Sequence, residues 1–190
     1  TAITGALRAT LTEEEKARVE AVPTQNLEAW EAYQLGKQRM ARRTSTGLAE
    51  AEKFFRRAIE LDPKFALAYV GLADTLYLQT VYSGKPLQAT LAEADEAASK
   101  ALELDSNLAE AWASKGGIAM SRAQYAEAVK LLRRAIELNP NYAPAHHWLS
   151  VALRGGSSTE EELKHAKRAA ELDPLSVVVR SNFCDSLHTA

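Results

Sequence analysis

The stretch "RRAIELNPNYAPAHHW", residues 133–148, builds a helix-favouring run, stops it at Asn139-Pro140 and starts a second helix-like pattern at once. Proline cannot continue a helix, and it biases the residue before it away from helical backbone. The phrase recurs as "RRAIELDPKFALAY" at 56–69, "SKALELDSNLAEAW" at 99–112 and "KRAAELDPLSVVV" at 167–179. Aligned, the four phrases put Pro63, Ser106, Pro140 and Pro174 in one slot, 43, 34 and 34 residues apart. A 34-residue period without strand-like alternation implies stacked helical hairpins, each stop letting the next helix fold back on the last. The spacing of 43 reads as the same unit with nine residues inserted, carried by a longer turn in "TVYSGKPLQ" at 80–88.

The unit from Ala109 to Tyr142 shows the packing logic. Antiparallel helices approach closely only where the crossing residues are small. Gly116 and Ala128 meet that need, and Trp112 and Leu132 fill the space around them. The unit ending at Pro63 offers Leu35-Gly36, then Ala51, Phe55 and Ala58. The next offers Tyr69, Leu72-Ala73 and Leu76, then Ala94, Ala98 and Ala101; the fourth offers His146, Leu149-Ser150 and Leu153, then Ala166 and Ala169. Lys115 and Glu162 break the apolar pattern. Helices are expected over roughly 2–9, 13–21, 26–42, 47–61, 66–82, 87–104, 109–121, 125–138, 143–154, 159–172 and 177–188. Thr12 with Glu15 and Ser158 with Glu161 form capping-box patterns, and Pro86 suits a first helical position. The final helix, in "SVVVRSNFCDSLHTA", leaves apolar surface on its open side, so a neighbour or self-association is expected to cover it.

In the unit 109–142, Trp112, Gly116, Ala119, Ala128, Leu132, Ala135 and Pro140 stand at the positions of the tetratricopeptide pattern. From about residue 26 onward the chain resembles a tetratricopeptide repeat protein. The resemblance implies an all-α, right-handed superhelical solenoid of about four antiparallel helix pairs plus one extra helix. Its units fall at about 26–65, 66–108, 109–142 and 143–176, with a partial unit at 177–190, inside an array over 23–190. A narrower resemblance rests on "LTEEEKARVEAVPTQNLEAWEAYQLGKQ", "FALAYVGLADTL", "NLAEAWASKG", "RRAIELNPNYAPAHHWLS" and "AELDPLSVVVRSNF". Together these are similar to the repeat region of bacterial multidomain signalling proteins. There the repeats follow a TolB-like domain behind an adenylate or guanylate cyclase, or behind a winged-helix DNA-binding domain. That resemblance implies that residues 1–22 are the tail of a preceding domain, packed as a helical segment on the first unit. It also implies a non-catalytic protein–protein interaction scaffold, the regulatory or sensory part of a cyclase-type protein. The alternatives are a self-association module that makes a homodimer of the attached effectors, or the repeat portion of a transcriptional regulator. The implied compartment is the cytoplasm, or the periplasm if the parent carries a transmembrane helix. Some repeat proteins of this kind grip C-terminal carboxylates with a Lys/Asn/Lys/Arg clamp. The corresponding slots here hold Tyr33, Lys37, Gly71, Glu110 and Ser114, so that clamp is not present.

Composition narrows the chemistry. The 190 residues carry 46% apolar and 25% charged side chains, which fits a folded domain. A net charge of −2 gives no electrostatic footprint for nucleic acid or an anionic membrane, and no apolar run of about 18 residues is present. The lone Cys184 excludes an internal disulfide framework; it falls in the small slot of the fifth unit and reads as a buried structural thiol. The start, "TAITGALRATLTEEEK", has neither an initiator Met nor a signal pattern, so a segment of a longer protein is expected. His146 and His147 point about 100° apart on a helix and do not share a metal; His146 takes a packing slot. His165 lies between Lys164 and Lys167, and His188 in the last helix. The triple glutamates at 13–15 and 160–162 complement helix dipoles, and Gly155-Gly156-Ser157-Ser158 lacks the rest of a phosphate loop. Arg39-Met40-Ala41-Arg42-Arg43 reads as a solvated helix end, or more sharply as a docking patch for an acidic partner. No catalytic group, metal set or cofactor site is expected.

Stacked hairpins curve, and their first helices line the concave face. The groove is then expected to receive Trp30, Tyr33 and Lys37 from the first unit and Val70, Asp74 and Tyr77 from the second. Ala113, Gly117 and Met120 follow from the third, His147, Val151 and Arg154 from the fourth, and Ser181 and Asp185 from the fifth. Such a mix of aromatics, Met and few charges suits a protein or peptide ligand better than a small metabolite. Trp30 and Tyr33 have an equal claim to pack against residues 1–22 instead.

Overall fold

The computed structural model describes residues 23–154 and 159–189. Among the described residues there are nine helices and no strand. They are α1 (Leu27–Met40), α2 (Ser45–Leu61), α3 (Ala66–Tyr82), α4 (Leu87–Leu104), α5 (Ala109–Ser121), α6 (Tyr125–Leu138), α7 (Ala143–Leu153), α8 (Thr159–Leu172) and α9 (Val177–Thr189). The all-α solenoid of helix pairs is the architecture observed, with helix bounds within two residues of those expected. The expected helices at 2–9 and 13–21, the Thr12–Glu15 pattern, Ser158 and the 155–158 turn lie outside the described residues.

The repeated stop is made by the residue before the proline slot. Asp62, Asp105 and Asn139 each sit in extended backbone at the end of a helix. Each accepts, through its side-chain oxygen, from the amide two residues on: Lys64 at 3.0 Å, Asn107 at 2.9 Å and Asn141 at 3.1 Å. Ser106 can therefore replace proline without losing the turn. Six residues after the slot, three different donors reach back to its carbonyl: the Tyr69 hydroxyl at 3.3 Å, Trp112 Nε1 at 2.9 Å and His146 Nε2 at 3.0 Å. The packing role expected of His146 is thus also a polar one.

The nine-residue insertion is not a longer turn. The helix α3 has 17 residues against 13 in α5, and α4 has 18 against 14 in α6. The connection between α3 and α4, residues 83–86, is only one residue longer than its counterpart at 122–124. Each helix of the pair has gained about one turn, which moves the α3–α4 corner outward by a helical pitch. The expected N-terminal position of Pro86 shifts by one: it occupies the N-cap, and α4 opens at Leu87. Buried Gln79 on the added turn donates to the Leu48 carbonyl at 3.2 Å and to Glu52 at 2.9 Å, and Lys85 reaches Glu52 at 2.8 Å, tying the long pair to α2.

At the crossings, small residues meet large ones. Phe55 lies between α1 and α3, where a Cβ on Gly36 would come within 2.8 Å of its ring and one on Gly71 within 2.3 Å. Leu132 plays the same part beside Gly116, where a Cβ would stand 2.6 Å from its Cγ. The two departures from apolar pattern are both paired. Lys115 Nζ lies 2.8 Å from both Asp95 Oδ1 and Ser99 Oγ. Glu162, only 3% exposed, accepts from Ser186 Oγ at 3.0 Å and Arg154 Nε at 3.2 Å. Cys184 corrects the sequence reading: it is exposed, and α9 buries Val179, Asn182 and Ser186 instead. Its slot is one that the second helix of a pair would cover, and no such helix follows among the described residues. Leu175, just before α9, and Val177, its first residue, are 91% and 79% exposed.

Candidate functional site

The first helices α1, α3, α5, α7 and α9 pack in succession, each against the next, while the second helices α2 and α4 meet through Arg56 and Glu93, and α6 and α8 through Arg133 and Glu161 at 2.7 Å. That places the first helices on the inner face. A cavity of about 390 Å³ opens there. Its walls are Met40 and Arg43 at the end of α1, Asp74, Tyr77 and Leu78 on α3, and Tyr142, His147 and Trp148 at the start of α7; Ser176, Val178 and Val179 close the α9 side. Val81 and Tyr82 also line it, and both belong to the turn that α3 gained. The insertion therefore builds one wall of the site.

The rings are held by packing. Trp148 meets Tyr77 edge-on, with centroids 5.7 Å apart and planes at 61°. A Cβ on Gly117 would fall 3.0 Å from the Trp148 ring, so this glycine lets the indole lie flat on α5. Asp74 Oδ1 stands 2.5 Å from Ser114 Oγ, which is also 3.0 Å from the Glu110 carbonyl. Burial first, and then the nearby Glu110 carboxylate, push the Asp74 carboxyl up to about 7, against the hydrogen bond from Ser114. Burial, with Glu110 and Asp74 adding to it, raises the Tyr33 phenol to about 12; burial likewise raises Tyr77 and Tyr142. All three phenols are neutral. Burial, helped by Arg43 and Arg154, lowers His147 to about 4, and its buried Nδ1 has no hydrogen-bond partner.

Of the residues expected in the groove, Asp74, Tyr77 and His147 come together around this cavity. Others lie elsewhere. Tyr33 is buried between Phe55 and Phe65, its ring 5.8 and 5.0 Å from theirs, and Trp30 stacks 6.2 Å from Phe65. Their alternative contact, with residues 1–22, lies outside the described residues. Lys37 is exposed, its Nζ 5.5 Å from the centre of the Tyr33 ring. Val70 is only 5% exposed and packs with Ala101 and Ala111, because its side of α3 faces the next hairpin and not the bore. Ala113 is buried, and Met120 packs half-buried on the same apolar cluster. Val151 is half-buried, and Arg154 bonds Glu162 and Asn182, latching α7 to α8 and α9. Ser181 and Asp185 are exposed beyond the cavity's lining.

Sequence reading did not place Tyr142, Trp148, Val81 and Tyr82 in the groove, and named Arg43 only within the basic run 39–43. Tyr142 and Trp148 lie within the quoted repeat phrase, but their slots carry no fixed type across the units. Val81 and Tyr82 sit in the insertion, where repeat alignment has nothing to compare. A second cluster was also missed. His146 Nδ1 lies 2.8 Å from His165 Nδ1. The Pro140 carbonyl can only accept, so His146 carries its proton on Nε2 and its Nδ1 accepts from His165. Both histidines are neutral: burial lowers His146, and burial together with His146 lowers His165 to about 4. With both His146 nitrogens engaged, this is a structural pair; no group of three metal-ligating side chains occurs among the described residues.

Known proteins place this architecture. Residues 109–142 match a family model described as tetratricopeptide repeat, and residues 48–65 match a second of the same description. No curated protein matches the chain. Among solved structures, PilF of Pseudomonas aeruginosa is similar at 24% identity and TM-score 0.64, over 87% of this chain and 71% of that one. MamA from Desulfovibrio magneticus RS-1 is similar at 16% identity and TM-score 0.55, over 87% and 92%. The first TPR of Spaghetti (RPAP3), bound to the HSP90 peptide SRMEEVD, is similar at 18% identity and TM-score 0.54, over 70% and 95%. At these identities the likeness is one of fold. Period, turn chemistry, crossing residues and matched segments agree that the chain carries tetratricopeptide repeats in a helical solenoid.

Proposed function

We propose that this chain is a non-catalytic protein–protein interaction scaffold that takes a peptide or helical segment of a partner in its concave groove. The observation that carries the reading is the cavity of about 390 Å³, walled by Tyr77, Tyr82, Tyr142 and Trp148 and floored by polar groups. Aromatic walls with few convergent polar groups are what a docked side chain needs. A similar fold bound to a peptide, in the Spaghetti structure, supports a peptide as the ligand. Hydrogen exchange on the chain with a captured partner tests it. Protection is expected at 74–82 and 142–148; protection confined to the outer helices α2, α4 and α6 overturns it.

The finer proposal is that the array is the regulatory or sensory part of a larger bacterial signalling protein with a cyclase-type effector, or of a winged-helix regulator. Its support is the phrase-by-phrase resemblance of the sequence. The open reading frame around Thr1 tests it, together with deletion of the array, which is expected to uncouple effector output from its signal. An unchanged response overturns it. The exposed Leu175, Val177 and Leu187 favour a second reading, self-association through α9. Light scattering across concentrations is then expected to show a dimer that Val177→Asp returns to monomer, and a strict monomer at all concentrations rejects it.

A further inference from the structure

We infer that the groove selects a cationic side chain, an arginine or lysine of the partner, seated on the Asp74 carboxylate between the rings of Tyr77, Tyr142 and Trp148. This rests on the groove being the binding face. The molecule supplies its own controls. Elsewhere in the array, carboxylates drawn into the packing have cations: Glu52 has Arg56 and Lys85, Asp95 has Lys115 and Arg122, and Glu162 has Arg154. Half-buried Asp62 has no cation but accepts from Thr24 and from the Lys64 amide, whereas Asp74 has only the Ser114 hydroxyl. Among the described residues no cation pairs with Asp74 or with the adjacent Glu110, and the Glu110 carboxylate adds to the cost of ionising Asp74.

The contacts Asp74 does have fit an unfilled position. Ser114 has one hydroxyl proton and two acceptors, Asp74 Oδ1 and the Glu110 carbonyl. The chain is best satisfied when Asp74 is protonated and donates to Ser114, which donates to Glu110. An arriving ammonium or guanidinium takes over the proton's role. The surrounding groups cannot supply that charge: Tyr77 on the same helix, Tyr33 from α1 and Tyr142 before α7 are neutral phenols, and His147 is neutral. Arg43 borders the cavity but is exposed at its rim, where its charge acts on Tyr77 and His147; Asp173 borders it from the α8–α9 turn. Aromatic faces around a carboxylate suit a cation twice over, through the ion pair and through the rings.

Because Asp74 titrates near 7, seating a cation expels its proton, and affinity rises with pH. Between pH 6 and pH 8 the ionised fraction grows about tenfold, and so does the expected affinity. The test selects random displayed peptides against the whole chain at about pH 8 and measures Kd for the winners. Peptides that protect 74–82 and 142–148 from exchange are expected to share an Arg or Lys. Replacing that residue with neutral citrulline, or Asp74→Asn in the chain, is expected to weaken binding at least about tenfold and to flatten the pH profile. Asp74→Asn removes a carboxylate that burial penalises, so it is expected to melt no lower than the parent at pH 8; the citrulline arm needs no variant at all. Groove-bound peptides without a basic residue, or a change under about twofold in the citrulline arm, overturn the inference while the groove reading stands. Selection that yields only peptides bound outside the groove, or none, fells both.

Discussion

The front of the array, α1 to α4, and its back, α5 to α9, follow one repeat pattern and hold together differently. In front, an aromatic side chain is gripped from both sides: Phe55 fills the space left by Gly36 and Gly71, and Tyr33 and Phe65 extend the cluster. Behind, the equivalent residue is the smaller Leu132, set against Gly116. Much of the remaining interlock there is polar. Glu162 accepts from Ser186, Asn182 donates to Ser150 at 2.7 Å, and His165 donates to His146. One end of the solenoid is apolar jigsaw and the other is satisfied buried polarity. The first is expected to feel a loss of side-chain volume more strongly, and the second to lose stability at a higher pH on acidification.

Volume changes separate the two ends most strongly. Phe55→Ala is expected to cost about 3–5 kcal/mol and Leu132→Ala about 2–4 kcal/mol, read from denaturant midpoints. Equal losses would mean that the second glycine against Phe55 adds no packing. At the back, Ala135→Arg forces a charge into a fully buried crossing and is expected to equal or exceed the Phe55 loss. A polar change at the back is expected to be smaller: Glu162→Ala leaves Ser186 and Arg154 with fewer partners and is expected to cost about 1–3 kcal/mol in the same measurement. A neutral result would show that α9 is not held through this carboxylate.

How much of this was legible in the sequence follows from what repeats can and cannot say. Period and proline slot gave the nine helices because the local signals and the packing agree at Gly116, Ala128 and Ala135. The turn was credited to proline, although Asp105-Ser106 already hinted that the Asx residue carries it. Asp74, Tyr77 and His147, projected onto the inner face from first-helix positions, line the cavity. Val70 was misplaced because an adjacent position on a curved stack faces the next hairpin. The wall from Val81 and Tyr82 was invisible, since an insertion has no counterpart in other units. The His146–His165 contact joins two helices at a separation that periodicity does not encode.

The histidine pair sharpens the contrast through pH. His165 has a folded value of about 4, below its ordinary 6.5. As pH falls through about 6.5 the unfolded chain takes up this proton first, so stability is lost progressively down to about pH 4 and no further from this group. Glu52 at the front titrates to about 2 and gives its loss in a lower window, from about 4.5 downward. With discount for solvent screening, each effect is expected to be about 1 kcal/mol. In His165→Gln the loss between pH 6.5 and 4 should shrink while the lower one persists; an unchanged profile would place the upper transition on another group.

The smallest expected effect lies in the hairpin turns. Arg43, Gly84 and Ala123 occupy the turns after α1, α3 and α5 with φ of 49°, 64° and 57°. Only the longest pair meets this left-handed demand with glycine; the other two place side chains where Cβ crowds the backbone. Ala123 is exposed and distant from the groove cavity, so Ala123→Gly relieves strain without removing a contact. Glycine also widens the unfolded ensemble, which offsets part of the gain, so the net stabilisation is expected to be below about 1 kcal/mol. Arg43→Gly should relieve similar strain but also removes the cation at the cavity rim. If both variants melt lower than the parent, the left-handed turns are held by side-chain contacts and not merely endured by the chain.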